Sequence, residues 1–277
     1  MRRSAAALVC AALVVAGAAG GCAAQRGAAT TVPAGQQGAG LEDVDLGLDF
    51  DRAVVPGDVV PGAVNAGTAA VTIHVATAGG GRLTWAQGRT RGMAVRTPSY
   101  APDGAVPAAA LVVWPGPGSP GAPDPLDPGA DPVEISVDLR ADPAAAGRPG
   151  DDGDNLVQRG RFGETAQIKI QLDHDVPSCR MAGSLGAVVV TADRPVTPDR
   201  WYRLSCLRSG AAVRLRLVDL EGDAPPQDWV VARDPGTIAL AGVPLSIAAK
   251  VGESGRIDPD SVDQFHGTID RVVVDVR

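Results

Sequence analysis

The stretch "PVEISVDLRAD" (residues 132–142) alternates without a break. Val133, Ile135, Val137 and Leu139 fall on one side of an extended chain, and Glu134, Ser136, Asp138 and Arg140 fall on the other. A period of two is the signature of a strand with one buried and one solvated face. The pattern returns in "AAVTIHVATA" (Val71, Ile73, Val75) and "QIKIQLD" (Ile168, Ile170, Leu172). It returns again in "AVVVTAD", "RWYRLSCLR", "AAVRLRLVD", "TIALAGVPLSIAAK" and the terminal "GTIDRVVVDVR". Turn-rich segments separate these runs, and no stretch after the first residues keeps a 3.6-residue period with caps. Together Gly (35) and Pro (23) exceed a fifth of the 277 residues, which suits turns and strand ends and disfavours helix interiors. The expectation is an all-β chain closed into a two-sheet sandwich or a barrel. Residues 115–132 and 142–154 are expected as exposed connections within one domain.

The first residues, "MRRSAAALVCAALVVAGAAGGCAAQ", place two arginines before an apolar run and then small residues. This is the layout of a secretory signal peptide over residues 1–21, and the run falls short of the roughly 20 apolar residues that span a bilayer. Ala19-Gly20-Gly21-Cys22 resembles a bacterial lipobox with Ala19 in place of the preferred leucine, so Cys22 is either a lipidated first residue or incidental to an ordinary cleavage site. Residues 22–40 lack apolar periodicity and read as a flexible tether, with the folded domain at 41–277.

The net charge is −7, and loss of residues 1–21 removes two arginines and takes it to −9, so no phosphate-binding face is apparent and nucleic acid is disfavoured. Only Lys169 and Lys250 are lysines; beside the Ala, Gly and Pro excess this reads as coding bias. Past Cys22 the only cysteines are Cys179 and Cys206. Outside the cytosol such a pair is expected as a disulfide, and two thiols are too few for a metal site.

Four stretches resemble the laminin G-like members of the concanavalin A-like lectin/glucanase superfamily. They are "VEISVDLR", "DNLVQRGRFGETAQIKIQLD", "PVTPDRWYRLSCLRSGAAVRLRLVD" and the closing "PLSIAAKVGESGRIDPDSVDQFHGTIDRVVVDVR", with Phe265, Gly267, Ile269 and Asp270 before the last strand. The cysteine pair resembles a subgroup found in secreted actinobacterial proteins. The resemblance implies an antiparallel jelly-roll sandwich whose last strand lies near the first ones, and it implies that Trp201 takes a core position and is buried. Asp270–Arg271 interrupts the terminal alternation and suggests a bulge, with Asp270 capping local amides and Gly267 allowing a close turn.

Glycosidases of that superfamily carry closely spaced carboxylates, about 5–9 Å apart for the two that act. Glu134 and Asp138 stand about 13 Å apart along a strand. Asp219 and Glu221 alternate correctly but sit against a turn, and the full three-acid motif is absent, so no catalytic residue is assigned. The three histidines, His74, His174 and His266, form no metal signature. These acids read first as solvated loops of an acidic protein; calcium is the one cofactor left open, at Asp151, Asp152 and Asp154 or at Asp258, Asp260 and Asp263, and neither group fits an EF-hand. What the resemblance implies is an exported, lectin-like binding module, with a glycan or a cell-envelope protein as partner and the membrane reached only through a lipid anchor. Trp114 and Trp229, beside loops, are the candidate sugar-stacking rings; a scaffolding domain with no sugar site is the alternative, and a glycoside hydrolase the next.

Overall fold

In the computed structural model, residues 40–90, 92–116, 123–143, 147–149, 151, 153–257 and 260–277 are described. The expected leader, the tether up to residue 39 with Cys22, and the acids Asp152 and Asp258 lie outside them. By its contacts the chain divides into Met1–Gln37 and Gly38–Arg277, and all that follows concerns the second unit.

Among the described residues a short 3-10 turn (Leu41–Asp43) is followed by fifteen strands: β1 (Leu46–Leu48), β2 (Val71–Ala78), β3 (Thr84–Gln87), β4 (Met93–Arg96), β5 (Ala108–Pro115), β6 (Val133–Ala141), β7 (Asp154–Arg159), β8 (Gln167–Asp173), β9 (Val176–Gly183), β10 (Gly186–Thr191), β11 (Trp201–Ser209), β12 (Ala212–Asp219), β13 (Gln227–Val231), β14 (Leu245–Ile247) and β15 (Gly267–Val276). All named pairings are antiparallel. One sheet runs β13-β12-β11-β6-β15-β4-β3, with β1 also on β15; the other runs β10-β9-β8-β7-β14-β5-β2. The fold is a two-sheet jelly-roll sandwich, as the sequence motifs imply.

The alternating residues meet between the sheets. Ile135, Val137 and Leu139 of β6 and Ile168, Ile170 and Leu172 of β8 belong to one core, shared with Leu46, Leu111, Leu204, Phe265 and Val274. Burying one such aliphatic side chain is worth about 1.5–3 kcal/mol, so the pattern fixes which face of each strand turns inward. Cys179 of β9 and Cys206 of β11 are joined across the two sheets, with Cα atoms 5.8 Å apart.

The last strand sits mid-sheet. On one flank β15 pairs along its length with β6; on the other it meets β4 at Thr268 and Ile269 and β1 from Val272 to Val274. The register slips between Ile269 and Arg271, the expected bulge. Asp270, however, accepts the amide of Arg89 in the β3–β4 turn, 181 residues away, and not local amides. Gly267 serves close approach: a Cβ there would lie 2.4 Å from the carbonyl of Arg140 on β6.

Three local expectations need correction. Trp201 is buried, but on the face of β11 opposite the core, with the Arg140 guanidinium 5.3 Å from its ring, while Tyr202 takes the core side. The segment 115–132 is not all surface, because Leu126 enters the core and Asp124 pairs with the buried Arg159. Nor is 142–154 all exposed: Asp151 is buried and accepts the amide of Gln264 at 2.8 Å.

Candidate functional site

The outer face of the seven-stranded sheet is divided in two. Over β5 it is apolar, with Ala108, Ala110 and Val112 covered by Ala249, Val251, Ile257 and Val262 in a second, smaller core. Over β7, β8, β9 and β10 it is polar and open. Because side chains alternate, the residues between the core positions of β8 and β9 point outward together: Gln167, Lys169 and Gln171 beside Ser178 and Arg180. Register carries the row on to Gln158 of β7 and Val189 of β10, opposite Lys169 and Arg180. These residues line a groove of about 400 Å³, walled on one side by Lys250 and Asp263 of the covering segment and flanked by Phe162 of the β7–β8 turn. A neighbouring cleft of about 560 Å³ continues past Lys250 along Arg161, Glu253 and Arg256.

Within the groove most polar side chains are already oriented. The Arg180 guanidinium donates to Gln167 Oε1 and lies 5.1 Å from the Phe162 ring. Phe162 is 80% exposed, which for a phenylalanine leaves a ring face in water. Lys169 and Lys250, the only two lysines of the chain, converge on Asp263 Oδ2 at 3.9 and 3.6 Å, and Lys250 also donates to Ser261 Oγ. Gln158 is 3% exposed; its Nε2 donates to the Gly160 carbonyl, yet its buried Oε1 meets no donor. A buried acceptor left unmet costs about 1–3 kcal/mol, a local cost the fold carries beneath the groove.

The residues expected as a site are scattered. Trp114 is half-buried on β5, packed against the second core and beneath Gly255, where a Cβ would come 3.0 Å from the ring. Trp229 pairs with Leu215 and packs against the main core. Neither lines the groove. Asp151 and Asp154 converge instead on His266: its Nε2 stands 3.4 Å from Asp151 Oδ2, its amide donates to Asp154 Oδ1, and its Nδ1 meets the Pro98 carbonyl. Burial, partly offset by His266, pushes the Asp154 carboxyl up to about 7. Burial acts to lower the His266 imidazole, but its bonds to Asp151 and Pro98 outweigh this and raise it. Asp263 lies in the groove, and Asp260 lies apart from Asp151 and Asp154 in the chain and is held by contacts of its own. Among the described residues no three His, Cys, Asp or Glu side chains are gathered to hold a metal ion.

Asp219 and Glu221 hold backbone and arginine. Arg200 Nε donates to Asp219 at 2.9 Å, and the Trp201 amide donates to Glu221 at 3.2 Å. Desolvation acts to raise the Asp219 carboxyl, but its bonds to Arg200 and to neighbouring amides prevail and hold it below the usual range, the reverse of what a general acid needs.

The sequence reading passed over Phe162, the glutamine row and the lysines. The outward positions of "QIKIQLD" were the available signal, since the same alternation that names the core names the opposite face.

No family model and no curated protein matches this chain. Among solved structures, domain 4 of a GH43 extracellular arabinanase from Geobacillus stearothermophilus, in complex with arabinotriose, is similar at 14% identity and TM-score 0.50, over 84% of this chain and 91% of that one. A structure of botulinum neurotoxin type C, whose cell entry depends on interaction with two ganglioside molecules, is similar at 8% identity and TM-score 0.50, over 84% of this chain and 48% of that one. The LG1-3 region of the laminin α2 chain is similar at 18% identity and TM-score 0.42, over 53% of this chain and 28% of that one. The chain thus spans about half of the toxin structure and under a third of the laminin one. These likenesses concern the fold alone, a two-sheet antiparallel sandwich.

Proposed function

We propose that this chain is an exported binding module that holds a glycan in the groove over β7–β10 and performs no chemistry on it. The observation that carries the reading is the exposed ring of Phe162 beside a groove lined by amide and charged side chains. Sugars present that combination: hydroxyls for planar amides and charged groups, and an apolar C–H face for an aromatic ring. Proteins of this fold that hold arabinotriose or depend on gangliosides support the choice of ligand class. The engagement of Asp219 and Glu221 by Arg200 and the Trp201 amide supports a role without catalysis. The leader and Cys22 support export with a lipid anchor on the outer side of the membrane. Arrest of processing by globomycin is the expected result for a lipidated Cys22; processing indifferent to the drug refutes the anchor.

A second reading, protein recognition without a sugar site, draws on Val189 and Val230, each about half exposed on β10 and β13, the outermost strands on one side of the two sheets. A glycan array with and without calcium separates the two. Wild-type protein is expected to retain a saccharide that Phe162→Ala loses, whereas Trp114→Phe retains it. Retention by Phe162→Ala, with loss in Trp114→Phe, removes the groove from the reading.

A further inference from the structure

An edge strand left bare presents unpaired amides and carbonyls to any strand that meets it. Among the described residues, three of the four strands that end the two sheets are guarded. Residues 57–60 run along β3, where the Gly57 amide donates to the Trp85 carbonyl at 2.8 Å and the Val60 amide to that of Leu83 at 2.9 Å. Gly62 lies against β2, where a Cβ would stand 3.6 Å from the Ile73 carbonyl. β13 follows Pro225 and Pro226 and carries Asp228, paired with Arg216.

β10 has none of these guards. From Gly186 to Thr191 it holds no charge and no proline, and apart from β9 no backbone partner reaches it among the described residues. Residues 235–237 bond the β9–β10 turn at Ser184 and Leu185 and go no further along the strand. Val188 and Val190 are buried in the main core, while Leu185, Val189 and Thr191 are exposed. In so acidic a chain, an uncharged edge is where a copy of like charge can approach.

We infer that β10 pairs with β10 of a second copy of this chain, antiparallel about a twofold axis, so that two seven-stranded sheets become one. Directly opposed residues of an antiparallel pair point to the same face, so the axis passes through a residue and not between two. Centred on Val189, the register sets Val188 against the partner subunit's Val190, and Ala187 against the partner subunit's Thr191. Beyond the strand it sets the partner subunit's Asp193 against Leu185, next to Gly186. Arg233 stands at that place, its Nη2 3.1 Å from where a Cβ of Gly186 would lie. Asp193 and Arg233 are both exposed, and among the described residues neither has an ion pair within its own chain. The twofold supplies that pair twice, which is why the occupant is a second copy and the centre is Val189. Pairing of this kind continues the sheet, so the two polar grooves open on one face with their β8 strands about 24 Å apart, whatever they hold.

Six residues a side is well short of the roughly 20–30 of a standard interface, so the dimer is weak, with a dissociation constant of about 100 µM. Sedimentation equilibrium of the full chain, carrying Cys22→Ser so that no lipid drives association, is expected to show a monomer–dimer equilibrium of that strength. Val189→Lys sets two ammonium groups across the axis and is expected to weaken the dimer at least about tenfold, with the thermal transition unchanged. Arg233→Glu and Asp193→Arg are each expected to weaken the dimer, and the two combined in one chain to restore it. Monomer alone up to about 1 mM overturns the pairing, as does a dimer that Val189→Lys leaves intact. A dimer that Val189→Lys breaks but the charge exchange does not rescue overturns the register centred on Val189.

Discussion

Arg159 is 2% exposed at its side chain, and its guanidinium is tolerable there because Asp124, itself 6% exposed, meets it. Its Nε also donates to the Val243 carbonyl at 2.9 Å, and Asp124 accepts the Gly242 amide at 2.9 Å, so one carboxylate ties β7 to two loops. Burial pulls the arginine's pKa down, and Asp124 opposes the pull. Removing one partner of a buried pair leaves an uncompensated charge, which costs about 3–5 kcal/mol. Asp124→Ala is therefore expected to lower the free energy of unfolding by that amount in urea denaturation; a loss below about 1 kcal/mol shows that water reaches Arg159. Nothing in "PGAPDPLDPGADP" announces this pair, because its partner lies 35 residues away. The turn residues report a local bend and say nothing of which ion the bend will cover.

Among the elements, β15 shows why a chain can keep one of its strongest strands for its last ten strand residues. It fills the gap between β6 and the early strands β1 and β4, and so joins the first and last parts of the domain in one sheet. Val272 and Val274 face the core, the bulge at Asp270 re-aims the strand, and Asp270 binds the Arg89 amide. A chain ending at Asp263 loses the middle of the eight-stranded sheet and leaves β6 and β1 with open edges. Such a truncation is expected to be insoluble, or to show no cooperative thermal transition; a soluble product with the full-length transition contradicts the central placing of β15. The period of two predicted this strand and most others. It did not foresee that only Leu245–Ile247 of "TIALAGVPLSIAAK" would be strand, since the residues after it fold over the sheet face as a lid for the second core.

Across the whole molecule, one covalent link joins the two sheets. The Cys179–Cys206 bond closes a loop of 27 residues. Loop-closure entropy for that length gives about 3.5 kcal/mol of stabilisation. Reduction, or a Cys179→Ala/Cys206→Ala double variant, is expected to lower stability by about that amount with the fold retained; unchanged stability shows that the core alone sets the geometry.

The sequence by itself determined the all-β class, the inward face of most strands, the cysteine partners and the bulge before Arg271. Each depends on alternation or on a count of two, which act over a few residues or leave no choice. Only the tertiary structure decided that Trp201 would lie outside the core, that Trp114 and Trp229 would be packing rings, and that Lys169 and Lys250 would face one carboxylate. Those outcomes depend on which strands become neighbours and on what a later segment covers. Outward residues carry no burial energy to fix their meaning locally, and 81 residues of chain separate two lysines whose ammonium groups share Asp263.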